Sequence, residues 1–271
     1  MQAMKDWHKS HPHLFVKSPR NHAGRDMTLV PRDRFHLLES APTSFAAEIV
    51  RKWAGGAIGL GVDAVGFQRG LGNIRMTMDG AVFETILATV ERTIRQVPEA
   101  VPFLSDWPES VDRRICPPTR LEVCDWLGRL APPAQTADLV AAMVAAAPML
   151  QWRQTYAAVD FGADFLKRYG WTEFIGLRGP VPSTSLACGV LLLAPGLIYP
   201  SHAHQAEELY LPLSGVAEWQ MGNADFVRVQ PGKVIHHAPW VPHAMRCGTE
   251  PMAALYLWRG GDLAAKSVIL G

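Results

Sequence analysis

No stretch of this chain is apolar for long enough to cross a bilayer. The longest, "LVAAMVAAAPML" at 139–150, has 12 residues with Pro148 inside it, against the ~20 that a spanning helix needs. Cysteine is scarce too: Cys116, Cys124, Cys188 and Cys247 stand apart, with no C-x-x-C spacing. That excludes a dense disulfide framework and leaves reduced, mostly buried thiols as the expectation. Neither sign of charge dominates, since 26 Lys and Arg face 25 Asp and Glu. Without a global field to draw in nucleic acid or an anionic membrane, the expected partner is a small molecule. The N-terminal "MQAMKDWHKSHPHLFVKSPRNH" mixes charges and histidines where a signal peptide needs an unbroken apolar core. These absences predict a soluble, cytoplasmic protein, with homo-oligomerisation left open.

What is present is ordinary globular composition: 271 residues, 48% hydrophobic and 19% charged, enough for one large core or two modest ones. Residues 1–40 are polar, basic and aperiodic, and are expected to form a poorly ordered arm whose "HPH" at 11–13 is solvated. Residues 41–175 are expected to be a mainly helical region packed on the C-terminal segment. In "AVFETILATVERTIRQV" the apolar residues Val82, Phe83, Ile86, Leu87, Val90, Ile94 and Val97 fall at helical spacing, and Pro98 stops the run. A second helical block is predicted from about Thr136 through "ADLVAAMVAAAPMLQWRQTY", followed by "FGADFLKRYG". From residue 176 onward, short β-branched, aromatic and leucine-rich runs alternate with Gly and Pro turns, which predicts an antiparallel barrel or sandwich.

Two motifs do not survive their context. "GLGVDA" at 59–64, with Asp79 downstream, fits a dinucleotide fingerprint, yet no buried strand precedes it and no βαβ alternation follows. Ser183, Ser185 and Ser201 lack the G-x-S-x-G elbow that exposes a nucleophile.

The stretch "HAHQAEELY" at 202–210 carries more. In an extended strand, residues of equal parity share a face, so His202 and His204 project together, as do Glu208 and Tyr210. Leu209, Leu211 and Leu213 take the opposite parity, and His243 arrives 39 residues after His204 in "APWVPHAMRCG". An inward face with these polar groups is costly unless a metal, water or a hydrogen-bond network satisfies them. Neutral imidazoles with one carboxylate suit Fe(II), Zn(II), Mn(II), Ni(II) or Co(II), and the spacing does not choose among them. His236 and His237 are adjacent and point to opposite faces, so supporting or surface roles are expected rather than ligation.

Gly196, His202, His204, Glu208 and Gly215 space out as G-x5-H-x-H-x3-E-x6-G, which resembles the first cupin motif in every fixed position. The second cupin motif is matched less fully: Pro231-Gly232 and His243 are kept, without P-x-G before the histidine or asparagine after it. With Tyr199, Tyr210, "LQWRQTY", "YGWTEFIG", "PHAMRC" and "EPMAALYLWRGGDL" included, the chain is similar to the cupin-type dimethylsulfoniopropionate (DMSP) lyases over roughly residues 135–271. The resemblance implies a metal-binding cupin β-barrel over 176–271, giving a mainly β fold with an α-helical N-terminal half. It implies one divalent ion held by His202, His204, Glu208 and His243, and Tyr210 as catalytic base or alternative ligand. Tyr199 becomes a catalytic pocket partner. The implied reaction is β-elimination of DMSP to acrylate and dimethyl sulfide. Its sulfonium group would be held by aromatic faces, for which Trp219, Trp240, Tyr256 and Trp258 are available, although each also reads as core. A cupin Fe(II) oxygenase, a lyase-like cupin acting on another small acid, and a non-enzymatic ligand-sensing cupin remain as alternatives.

Overall fold

The structure, a computed structural model, describes residues 16–18, 27–30, 58–60, 80–109 and 113–270. The chain divides into two compact units, Met1–Ala81 and Val82–Gly271. In the first, β1 (Val16–Ser18) pairs antiparallel with β2 (Met27–Val30), and β3 (Ile58–Leu60) joins β2 in parallel. The "HPH" motif, most of the 1–40 arm and all but the first two residues of "GLGVDA" lie outside the described residues.

Helix α1 covers residues 80–94 and ends before Pro98. It buries Phe83, Ile86, Leu87, Val90 and Ile94, the stripe that its spacing predicts. A short helix, α2 (Val101–Leu104), follows. Helix α3 (Ala134–Ala146) then buries Leu139, Val140, Met143 and Ala146, and Thr136 Oγ1 donates to the Leu213 carbonyl at 2.7 Å. Helix α4 (Ala158–Lys167) is kinked at Gly162, whose φ is +83°. Among the described residues no helix is long and apolar enough to cross a membrane.

The second helical block is shorter than its sequence pattern suggested. Pro148 cannot donate a backbone hydrogen bond, so α3 gives way to a 3-10 turn at Ala147–Met149. The chain then enters β4 (Trp152–Arg153), which pairs with β5 (Tyr169–Gly176). Tyr169 and Gly170, read from the sequence as the tail of a helix, open that strand.

Ten further strands complete a cupin-type barrel of two sheets. They are β6 (Val181–Pro182), β7 (Leu186–Leu193), β8 (Ile198–Ala203), β9 (Glu207–Ser214), β10 (Ala217–Met221), β11 (Val227–Val229), β12 (Ile235–His237), β13 (His243–Cys247), β14 (Met252–Arg259) and β15 (Val268–Ile269). One sheet runs β11-β10-β13-β8-β15 and the other β12-β9-β14-β7-β5-β4, with β6 beside β5. Every pairing in the two sheets is antiparallel except β5 with β6.

The larger sheet is buried on both faces, and alternation sorts its residues into two cores. Leu209, Leu211 and Leu213 of β9 and Leu255 and Leu257 of β14 pack with α1, α2 and α3. Tyr210, Ala254 and Tyr256, one step out of phase, face the barrel interior with Tyr169, Tyr199, Trp219 and Met245. Strand β7, "LACGVLLL", serves both sides and is buried along its whole length. A slip of one residue in β9 would send its leucines into the barrel and Glu208 toward the helices, so the two cores together pin the register. All four cysteines are free, and three of them are buried.

Met143 is fully buried against this outer core. Met143→Ala should lower the unfolding free energy by about 2–5 kcal/mol in urea titration without changing the barrel interior, and a loss below about 1 kcal/mol would contradict this packing of α3.

Candidate metal centre

Both glycines of the H-x-H pattern sit where the backbone turns left-handed. Gly196, before β8, has φ +70° and Gly215, after β9, has φ +76°. A Cβ at Gly215 would stand 2.3 Å from the Pro251 carbonyl oxygen, so only glycine lets β9 turn there. These turns bound β8 and β9, strands of different sheets whose inward residues meet. His202 lies near the end of β8 and His204 just beyond it, Glu208 and Tyr210 lie on β9, and β13 pairs His243 directly with His202.

All five side chains are buried, and Glu208 has no exposure. The rings of His202 and His243 are 4.1 Å apart between centroids, and those of His204 and His243 5.1 Å. Each imidazole is oriented by the backbone: Nδ1 of His202, His204 and His243 lies 2.9 Å from the carbonyl oxygens of Pro200, Ala206 and Val241. A carbonyl can only accept, so each Nδ1 carries the proton, and in a neutral ring the Nε2 lone pair is left facing the interior. This is the orientation that a metal-binding histidine requires.

Two of the Nε2 atoms converge on Glu208. His204 Nε2 is 3.0 Å from Oε2, and His243 Nε2 is 3.1 Å from the same oxygen, although not in line for a hydrogen bond. Trp258 Nε1 donates to Oε1. Burial pushes the Glu208 carboxyl up, but His204 and His243 outweigh it and hold the group well below the usual carboxylate range. Burial likewise opposes a charge on His204, yet its bond to Glu208 raises its pKa. His202 is pushed well below 6.5 by burial and by His243, so it stays neutral. The arrangement is a buried anion that His204 meets as a hydrogen-bond partner beside inward-turned imidazole nitrogens, a set for which a divalent cation is the natural complement.

Sequence parity separated His236 from His237 without saying which one points inward. His236 is exposed and lies 2.7 Å from Glu207 Oε1. His237 is 1% exposed and stacks on His243 at 4.0 Å, and neither of its ring nitrogens has a hydrogen-bond partner. Burial holds its pKa down to about 3. Two unpartnered buried nitrogens cost about 1–3 kcal/mol each. The ligand atoms of His202, His204 and His243 lie within 4.8 Å of one another, and so do those of Glu208, His237 and His243.

A cavity of about 280 Å³ adjoins the cluster, lined on this side by His202, Glu208, Tyr199 and Tyr210. Of the four aromatic candidates, Tyr256 and Trp258 line it. Trp219 is buried 4.9 Å from the Tyr210 ring but is not in the cavity wall. Trp240 is 56% exposed in the turn before β13, where its φ of +63° carries it outside. Tyr156, Tyr169, Trp171 and Glu173 were not singled out by the sequence. Tyr199 donates to Tyr156 at 3.2 Å, and its ring meets His202 edge-on at 4.6 Å. Tyr169, Trp171 and Glu173 come from β5 and line the cavity. Their signal lay in the polar and aromatic alternation of "YGWTEFIG". Burial and the Glu208 charge push the Tyr210 phenol well above 10.

The model of the dimethylsulfoniopropionate lyase family matches residues 103–254. The chain is 36% identical over 197 residues to the DMSP lyase DddQ of Ruegeria pomeroyi, covering 72% of this chain and 96% of that protein. A crystal structure described as DMSP lyases RdDddP and RnDddQII superposes with TM-score 0.66 at 36% identity, covering 71% of this chain and all of that one. The crystal structure of Ruegeria pomeroyi DddQ gives 0.64 at 35% identity, with 70% and 96% covered.

Because the bond to Glu208 raises the His204 pKa, loading Co(II) or Zn(II) near pH 6.5 should release protons. Calorimetry in buffers of different ionisation enthalpy measures this, and uptake without proton release would contradict the protonation of His204. His243→Ala removes a donor common to both triads and should abolish stoichiometric uptake. Full metal content in this variant would show that His243 is not a ligand.

Proposed function

Because the chain belongs to the dimethylsulfoniopropionate lyase family, and is thus a carbon–sulfur lyase, we propose that it cleaves DMSP to acrylate and dimethyl sulfide by metal-dependent β-elimination. The observation that carries this reading is a cluster of three backbone-oriented imidazoles, two of them against a fully buried carboxylate, beside a cavity lined by a phenol on the same strand as that carboxylate. His202, His204, Glu208 and His243 would hold the ion. A divalent cation bound there supplies positive charge that attracts the substrate carboxylate, acidifies its Cα–H and lowers the pKa of a nearby phenol.

Tyr210 is the base. It shares the inward face of β9 with Glu208 and reaches the cavity, where a substrate Cα–H could meet its phenol oxygen. As phenolate it takes the Cα proton, the electron pair of that bond forms the carbon–carbon double bond, and the C–S bond breaks to release neutral dimethyl sulfide. Tyr199 is a positioning residue, wedged between His202 and Tyr156. The sulfonium is a soft cation without hydrogen-bond donors, best met by aromatic faces at about 0.5–2 kcal/mol each. Trp171, Tyr256 and Trp258 supply these in the cavity wall. On the outer side, Arg178 donates to the Leu263 and Ala264 carbonyls, holding the 263–267 segment against the cavity.

Tyr210→Phe should keep its metal and lose about 10²–10⁴-fold in dimethyl sulfide release, followed by headspace gas chromatography. Turnover within a few-fold of wild type would remove Tyr210 as the base.

A further inference from the structure

His237 has no place in the four-donor centre, and its surroundings suggest one; that place rests on the reading of this site as a metal centre. It ends β12, where its Cα pairs with that of Glu208, and it stacks almost parallel to His243. Unlike His202, His204 and His243, it has no carbonyl holding Nδ1, so both nitrogens are unpartnered. The two triads, His202-His204-His243 and Glu208-His237-His243, share His243. That ring has a single nitrogen to offer, because its Nδ1 is engaged by the Val241 carbonyl. A single imidazole nitrogen binds one ion, so the triads describe two positions of one cation rather than two cations.

We propose that His237 is a fifth protein donor to the metal, and that the ion is shared between a position toward His202 and one toward His237. His202 lines the cavity and His237 does not. An ion drawn toward His237 would free the His202 side of the cavity wall for an incoming carboxylate. His237 also adds nitrogen to the set, which favours Co(II), Ni(II) and Zn(II) over Mn(II).

The test uses the full-length protein loaded with Co(II) or Mn(II), with affinities read by competition against a chromophoric chelator. His237→Ala and His237→Asn should weaken Co(II) binding about 10–100-fold, weaken Mn(II) less, and alter the visible Co(II) spectrum. His236→Ala, at an exposed ring paired with Glu207, should leave all three unchanged. Both His237 variants matching wild type in affinity and spectrum would overturn the role of His237 alone. A wild-type protein that takes up neither ion would overturn the metal-centre reading and this inference together. Should both variants fail to fold, cadmium-113 NMR of wild type labelled with nitrogen-15 histidine decides. Coupling from cadmium to a His237 nitrogen supports the assignment, and coupling to the other histidines alone overturns it.

Discussion

A carboxylate taken wholly out of water keeps its charge only if its surroundings supply an equal and nearby positive charge or a full set of donors. Glu208 is such a group, and the barrel interior is organised around it. His204, His243 and Trp258 reach its oxygens from three different segments, and Tyr210 stands two residues along the same strand face. With the Nδ1 protons of the histidines engaged by three backbone carbonyls, the Nε2 atoms are turned inward, and the one on His204 meets Glu208 as a hydrogen-bond partner. One requirement, compensating a buried anion, thus accounts for the donor set and for its orientation.

The same strands that build this polar interior also close the apolar core outside it. Glu208 and Tyr210 face in because Leu209, Leu211 and Leu213 face out to the helices. Stability and chemistry are therefore coupled through register: α3 and α1 contribute nothing to the cavity wall, yet their packing fixes which parity of β9 enters the barrel. On the other side a cluster of tyrosines, Tyr156, Tyr169 and Tyr199, links Phe165 of α4 and strand β5 to His202 by ring contacts.

Much of this was legible in the residues, for identifiable reasons. The α1 stripe was readable because its period is clean and a proline ends it. His202, His204, Glu208 and Tyr210 were readable because equal parity on a strand is a local property, and the two motif glycines confirmed their spacing. Other features depended on tertiary contacts. The run after α3 is helical in composition as far as Tyr156, and only its pairing with β5 turns Trp152 and Arg153 into a strand. Adjacent histidines must point to opposite faces, but the identity of the buried one, His237, is decided by the packing of β12 on β9. Trp240 looks like any other aromatic until its positive φ places it outside. Tyr169 and Trp171 come to the cavity from "YGWTEFIG", a segment that supports the resemblance but whose spacing alone does not say which side chains face inward.

The central claim is that a metal ion in this cluster makes the lyase work, and it is tested most directly by dimethyl sulfide and acrylate release from DMSP under argon. The purified chain would be assayed as prepared, after removal of metal by a chelator, and after re-addition of single divalent ions. The account predicts equal amounts of the two products, loss on chelation, recovery with at least one ion, and no need for oxygen. Undiminished release from protein shown to be free of metal would contradict it.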